Sequence, residues 1–240
     1  NVNIDENKKI ISIKINNASD KVTIFNSILN NWTINVDAKD SINLESMQLL
    51  KKSILENASR IDDQLLTGLL TIQDSSLKRG KIIINGGELE DSLNIVRSIG
   101  TIDLIRVSNS YQDAIDFDFS DLEIEEVNVY KGGNDCLDLS SGTYLIKKLY
   151  ANICYDKAVS VGEGAEVKFN EVKIKNTNMG LVSKDSSDLR IVKGDISNYK
   201  ICVAAYRKKQ EFSGSKISIP IGLCPDKKSY IQTNSILFEK

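Results

Sequence analysis

The chain has 240 residues, 41% of them hydrophobic, and a formal net charge of −2. That is enough apolar material for a sizeable core in one or two domains, while the charge lacks the strongly basic balance that a nucleic-acid partner usually requires. Histidine is absent, which excludes Ser-His-Asp triads, His-ligated zinc and the commonest general base, and no apolar run approaches the roughly 18 residues of a membrane span.

The sequence starts at Asn1 without an apolar leader, as a processed protein or an excised fragment would. Three strand-like runs follow, Ile10–Ile15, Val22–Phe25 and Trp32–Val36, separated by Asn, Asp and Ser turn signals. From Glu45 to about Ala58, apolar residues at Met47, Leu50, Ile54 and Ala58 have the spacing of one amphipathic helix. Residues 1–64 are therefore expected to form a β/helix cap, since an uncapped solenoid end offers bare core and unpaired strand edges.

A repeat governs the next stretch. The segments starting at Ala114, Cys136, Ala158, Gly180 and Cys202 are each 22 residues apart, and Ser92-Leu93-Asn94-Ile95 precedes the first of them in the same register. Their second position reads Ile, Leu, Val, Leu, Val. A second strand recurs within each period as Ile102…Ile105…Val107, Ile124…Val127…Val129 and Ile146…Leu149…Ala151. It continues as Phe169…Val172…Ile174 and Ile191…Gly194…Ile196, with one extra residue near Gly162–Gly164. A fixed period of this length marks a stacked repeat, and alternation within short runs marks strands rather than helices. The expected fold is all-β, a right-handed parallel β-helix of about 22 residues per coil over residues 65–215. Residues 216–240, with strand-like runs around Pro220 and Pro225, are expected to be a C-terminal cap or edge.

The four cysteines do not read as a disulfide framework. Cys136 and Cys202 share a column three coils apart, roughly 14 Å at a strand spacing of about 4.8 Å, beyond bridging reach. Buried small hydrophobes are the expected role, although Cys202 and Cys224, 22 apart, could be stacked neighbours.

If Ile115 and Phe117 face inward, Ala114, Asp116 and Asp118 face outward. The outward columns then read Asp116, Asp138, Ser160, Val182, Ala204 and Asp118, Ser140, Gly162, Lys184, Tyr206. At the adjoining bend the column reads Asp91, Asp113, Asp135, Lys157, Met179, Ile201. This gives a shallow groove, acidic at one end and basic at the other, where Arg207, Lys208 and Lys209 follow Tyr206. Such a face suits an extended polymer, a polysaccharide or other glycan, held by Asp116, Asp118, Asp138, Ser160, Lys157, Lys184, Tyr206 and Arg207. Carboxylates stacked about 5 Å apart repel by roughly 1–3 kcal/mol. Calcium, an oxygen-seeking ion, could offset that at Asp113, Asp135 and Asp138; alternatively the bend Asp and Asn side chains bond only to local backbone. Lys184 and Arg207, one coil apart, are the candidate catalytic pair of a lyase acting on a uronate polymer. A hydrolase would draw on Asp116 and Asp138.

Asp113–Ser120, Gly133–Ser140, Asp156–Glu163, Ser183–Ser187 and Tyr206–Phe212, together with Leu93–Ser98, resemble a group of bacterial right-handed parallel β-helix proteins often attached to CotH-kinase-like domains. The resemblance covers roughly residues 65–215. It implies a β-helix module of a longer envelope or surface protein, positioned beside neighbouring domains. Ser183 to Arg207 also looks like the Lys- and Arg-bearing coils of the alginate lyase and chondroitinase B family. The expectation is a carbohydrate-facing binding or scaffold module; the alternatives are a polysaccharide lyase and a spacer that only positions a neighbour.

Overall fold

The computed structural model describes residues 1–16, 21–38, 66–226 and 228–240. Its strands are β1 (Val2–Asp5), β2 (Ile10–Ile15), β3 (Val22–Phe25), β4 (Ile28–Ala38), β5 (Gly68–Gln73), β6 (Ser76–Asn85), β7 (Asp91–Val96) and β8 (Ile99–Ser108). Then follow β9 (Asp113–Gly132), β10 (Asp138–Gly162), β11 (Glu166–Lys184), β12 (Asp188–Tyr206), β13 (Lys216–Ile219), β14 (Ser229–Ile231) and β15 (Ile236–Glu239). Among the described residues there is no helix, and every pairing except β1 with β2 is parallel. This is the parallel β-solenoid that the 22-residue period implies.

Each coil has three faces. In β9, Asp113–Asp118 stacks on β7, whereas Ile99–Ser108 of β8 stacks on Asp121–Tyr130, beyond the first corner. Face one is thus the 113–118 register, face two the 121–124 register and face three the 126–130 register. The corners recur as strictly as the strands. Arg97, Phe119, Ser141, Glu163 and Asp185 all have φ between 45° and 57°, and they are spaced by 22. Asn109, Lys131, Ile153, Asn176 and Asn198 turn the next corner with φ of 54–63°, at steps of 22 except for 23 between Ile153 and Asn176. A residue in the left-handed region turns the chain sharply, at a cost that is small for Asn and larger for a β-branched side chain such as Ile153.

The first corner is also pinned from inside. Ser27, Ser75 and Ser98 each donate their backbone N–H to the side-chain oxygen of the next rung, at Ser75, Ser98 and Ser120. Ser120 passes the same bond to the Tyr144 hydroxyl at 3.3 Å, because the next rung carries Gly142. There φ is +106°, and a Cβ would lie 2.2 Å from the Ser120 carbonyl oxygen.

Face one contributes Leu93, Ile115, Leu137, Val159, Leu181 and Val203 to the core, all fully buried. Face two adds Ile102, Ile124, Ile146, Phe169 and Ile191, and face three Ile105, Val127, Leu149 and Val172. These are the inward columns that the periodicity selects, so the apolar pattern and the register agree throughout.

The stack is longer than residues 65–215. β2 pairs with β4, β4 with β6 and β3 with β5, all parallel, so β2, β3 and β4 belong to the coils, and among the described residues only β1 lies antiparallel as an edge. The offset from Trp32 to its partner Gly80 is 48 residues, because residues 39–65 intervene, and that insertion hides the period. The expected helix near residues 45–58 lies outside the described residues. At the other end β13, β14 and β15 continue the parallel pairing.

The cysteine reading is corrected. Cys136 and Cys154 form a disulfide, as do Cys202 and Cys224, with Cα separations of 5.4 and 5.9 Å. Cys136 opens face one and Cys154 lies just past the Ile153 corner that ends face three of the same turn, so the bridge joins the two ends of one turn instead of running up a column. Ala114, in the same column, is fully buried rather than outward.

Candidate functional site

Face one carries the carboxylates where the repeat places them. Asp113 Oδ1 accepts the backbone N–H of Asp135 at 2.8 Å and the Asn134 side-chain amide at 2.8 Å. Asp135 Oδ1 in turn accepts the Lys157 backbone N–H at 3.0 Å and its ammonium at 3.2 Å. The bend ladder is therefore backbone chemistry repeated coil by coil. Lys157 also pairs with Asp156. Burial works against the Lys157 ammonium, but Asp135 and Asp156 outweigh it and hold its pKa above the ordinary lysine value.

The ladder does not use every carboxylate oxygen. One oxygen from each of Asp113, Asp135 and Asp138 lies within 4.8 Å of the others. Asp138 Oδ1 is buried and has no hydrogen-bond partner among the described residues. Burial, together with the charge of Asp138, pushes Asp113 up to about 6; burial and the charge of Asp113 push Asp135 up to about 7. Asp118 rises to about 6, chiefly through burial, and Asp91 and Asp116 are pushed well above the carboxylate range by burial and by neighbouring Asp charges. Of these carboxyls, Asp135 is paired with the Lys157 ammonium and Asp138 with that of Lys184. The trio of Asp113, Asp135 and Asp138 offers three of the roughly six to eight oxygens that calcium takes, with Lys157 competing for Asp135.

The basic half of face one departs from expectation. Lys184 is 7% exposed; its ammonium donates to Ser160 Oγ at 2.8 Å and lies 3.5 Å from Asp138 Oδ2. Its chain passes over Gly162, where a Cβ would come within 2.8 Å of Lys184 Cε. Ser160, Val182 and Ala204 are fully buried. Around Lys184 the face is consequently a closed charge network, not an open groove, because its side chain lies back over Gly162 and Ser160 towards Asp138. Arg207 does not join it. Lys184 stacks beside Tyr206, while Arg207 lies past the strand end, its N–H on Gln232, at a cavity of about 310 Å³ shared with Ser213, Gly214 and Asn234.

An open trough lies instead on face three, and the sequence reading missed it. Two outward columns flank it through eight coils. One runs Ser12, Asn35, Ile83, Arg106, Asn128, Tyr150, Lys173, Asp195; the other runs Lys14, Asp37, Asn85, Ser108, Tyr130, Asn152, Lys175, Ser197. A concavity of about 470 Å³ occupies the coils from Arg106 to Ser197, and one of about 410 Å³ occupies those from Ser12 to Asn85. Tyr130 is 46% exposed, with the Lys131 ammonium 5.5 Å from its ring centre; Lys173 stands 5.4 Å from the ring centre of Tyr150. The signal was present in the positions that alternate with Ile105 and Val107, one register across from the columns that were read.

Comparison of the chain with family models, curated proteins and solved structures found no match.

Proposed function

We propose that the chain is a carbohydrate-facing binding module whose face-three trough receives a polysaccharide lying along the solenoid axis. The carrying observation is the register of that face: its two outward columns stay matched through eight coils, roughly 34 Å at about 4.8 Å per step, with one concavity over the coils from Ser12 to Asn85 and another over those from Arg106 to Ser197. A pocket for a small molecule would be local and enclosed. A trough open at the surface suits a polymer, and Tyr130 and Tyr150 offer ring faces with a polar tip. Asn128, Asn152, Ser108 and Ser197 offer both donors and acceptors, matching the hydroxyls of a sugar. The resemblance to bacterial β-helix modules supports a place beside neighbouring domains of a larger envelope or polysaccharide-handling protein. The two disulfides fit an oxidising compartment. Binding to a glycan array by the wild-type chain, compared with Tyr130→Ala and Tyr150→Ala, tests the proposal. Loss of binding in both variants is expected; wild-type binding left intact in both would remove the trough as the site, and a folded wild type that binds no glycan would leave the spacer reading.

A polysaccharide lyase is the second reading, favoured by one observation: the Lys184 ammonium is buried on Ser160 and Asp138 amid carboxyls with raised pKa values, a pattern that active sites share. Against it stands the separation of Arg207 from that network. Ultraviolet absorbance of an unsaturated product from uronate polymers decides this reading, and no product across the panel would end it.

A further inference from the structure

Resting on the trough as a glycan site, the geometry points to an acidic polysaccharide, one bearing a carboxylate or sulfate on most residues, as its ligand. The chain as a whole is net negative, yet the concavity between Arg106 and Ser197 is lined by Arg106, Lys173 and Lys175 against one carboxylate, Asp195. Sign and location therefore run opposite to the overall balance, which is what a surface that draws in an anion requires.

The cations also differ in how far they are committed. Lys173 is engaged with Glu171 at 3.3 Å. Arg106 and Lys175 are exposed and have no ion-pair partner among the described residues. Elsewhere on the same face Glu126, Lys148, Glu171 and Lys193 alternate in sign along the neighbouring column, and Glu171 holds Lys193 at 3.0 Å. That edge is self-neutralised and the trough is not. Arg106 and Lys175 sit three coils apart, roughly 14 Å at about 4.8 Å per step, with Tyr130 and Tyr150 on the two coils between them. The arrangement is a cation at each end of an aromatic platform. A polymer laid along it would stack sugar rings on the tyrosines and present a charge to each flanking cation. Arginine adds a planar fork suited to a carboxylate or sulfate.

The test uses fluorescently labelled polygalacturonate and the same polymer with its carboxyls methyl-esterified, so that backbone and length match and only charge differs. The expected result is binding to the free acid at least tenfold tighter than to the ester, weakening as salt rises. Arg106→Gln with Lys175→Gln should erase that preference, while Tyr130→Ala weakens both polymers. Equal affinity for acid and ester would overturn the acidic ligand while leaving the trough as a glycan site. No binding to either polymer, nor to a sulfated glycan of similar length, would overturn it, and failure on neutral glycans as well would remove the trough reading itself. Single-stranded DNA binding as tightly as polygalacturonate would also overturn it, since the preference would then be for any polyanion.

Discussion

Raising the pH from 4.5 to 8 should destabilise this protein through the carboxyl cluster of face one, the reverse of the usual carboxylate effect. Asp113 is held near 6 and Asp135 near 7, against 3.8 when free. Between those values the folded chain binds more protons than the unfolded chain, so stability is fully present below about 4 and is lost as pH rises through 6–7. A shift of about two units, at about 1.36 kcal/mol each, gives roughly 3 kcal/mol. The two groups share much of the same repulsion, so their contributions are not summed. At about 2–4 °C per kcal/mol for a chain of this size, the melting midpoint should fall by about 6–12 °C. Other groups titrate too, so the comparison is with Asp113→Asn/Asp135→Asn, in which amide oxygens can still accept the ladder N–H groups. Calorimetric midpoints should converge below about pH 4 and part progressively towards pH 8, with the variant higher. Parallel curves would refute the reasoning, because they would mean that the cluster carries no proton-linked strain. Calcium entering at Asp113, Asp135 and Asp138 would compete with protons, raising the wild-type midpoint at pH 8 and not at pH 5. At a hundred times its dissociation constant the gain is about 2.7 kcal/mol, and an unchanged midpoint would assign the ladder to backbone support alone.

Three further outcomes follow from the fold. Replacing both Cys136 and Cys154 by Ser should cost about 3 kcal/mol for a loop of this length, read as a lower urea midpoint; no change would mean that the bridge does not form. Ile153, β-branched with φ of 63° at a corner where its counterparts include Asn109, Asn176 and Asn198, should be improved by Ile153→Asn, by roughly 1 kcal/mol, on the same measurement. Tyr144→Phe should cost about 1–3 kcal/mol, since its buried hydroxyl closes the serine ladder at Ser120 and reaches the Ser141 carbonyl oxygen at 2.7 Å. A neutral result there would mean that the ladder ends without it.

The buried half of the molecule was legible because burial is periodic. Ile115, Leu137, Val159, Leu181 and Val203 repeat every 22 residues, and a stack of parallel strands places them in one buried column. What an insertion or a corner does to that period was not legible. The 48-residue offset at Trp32 concealed that β2, β3 and β4 join the stack. Cys154 is off the 136 column in sequence, so a bridge between the two ends of one turn could not be read from column spacing. For the candidate site the sequence brought Asp113, Asp135 and Asp138 together correctly, since their columns adjoin. It misjudged Lys184 because a long side chain can lie back along the stack and fill the space above Gly162 and Ser160. The trough escaped notice for a different reason: Arg106, Asn128, Tyr150 and Lys173 share a column but not a residue type, and a binding face need not repeat.

The most direct measurement is hydrogen exchange across the chain with and without a bound acidic oligosaccharide. The account predicts slowed exchange in peptides covering residues 104–108, 126–130, 148–152 and 171–175, with residues 113–118 and 135–140 unchanged. Protection confined to the face-one segments, or none at a concentration that saturates binding, would contradict it.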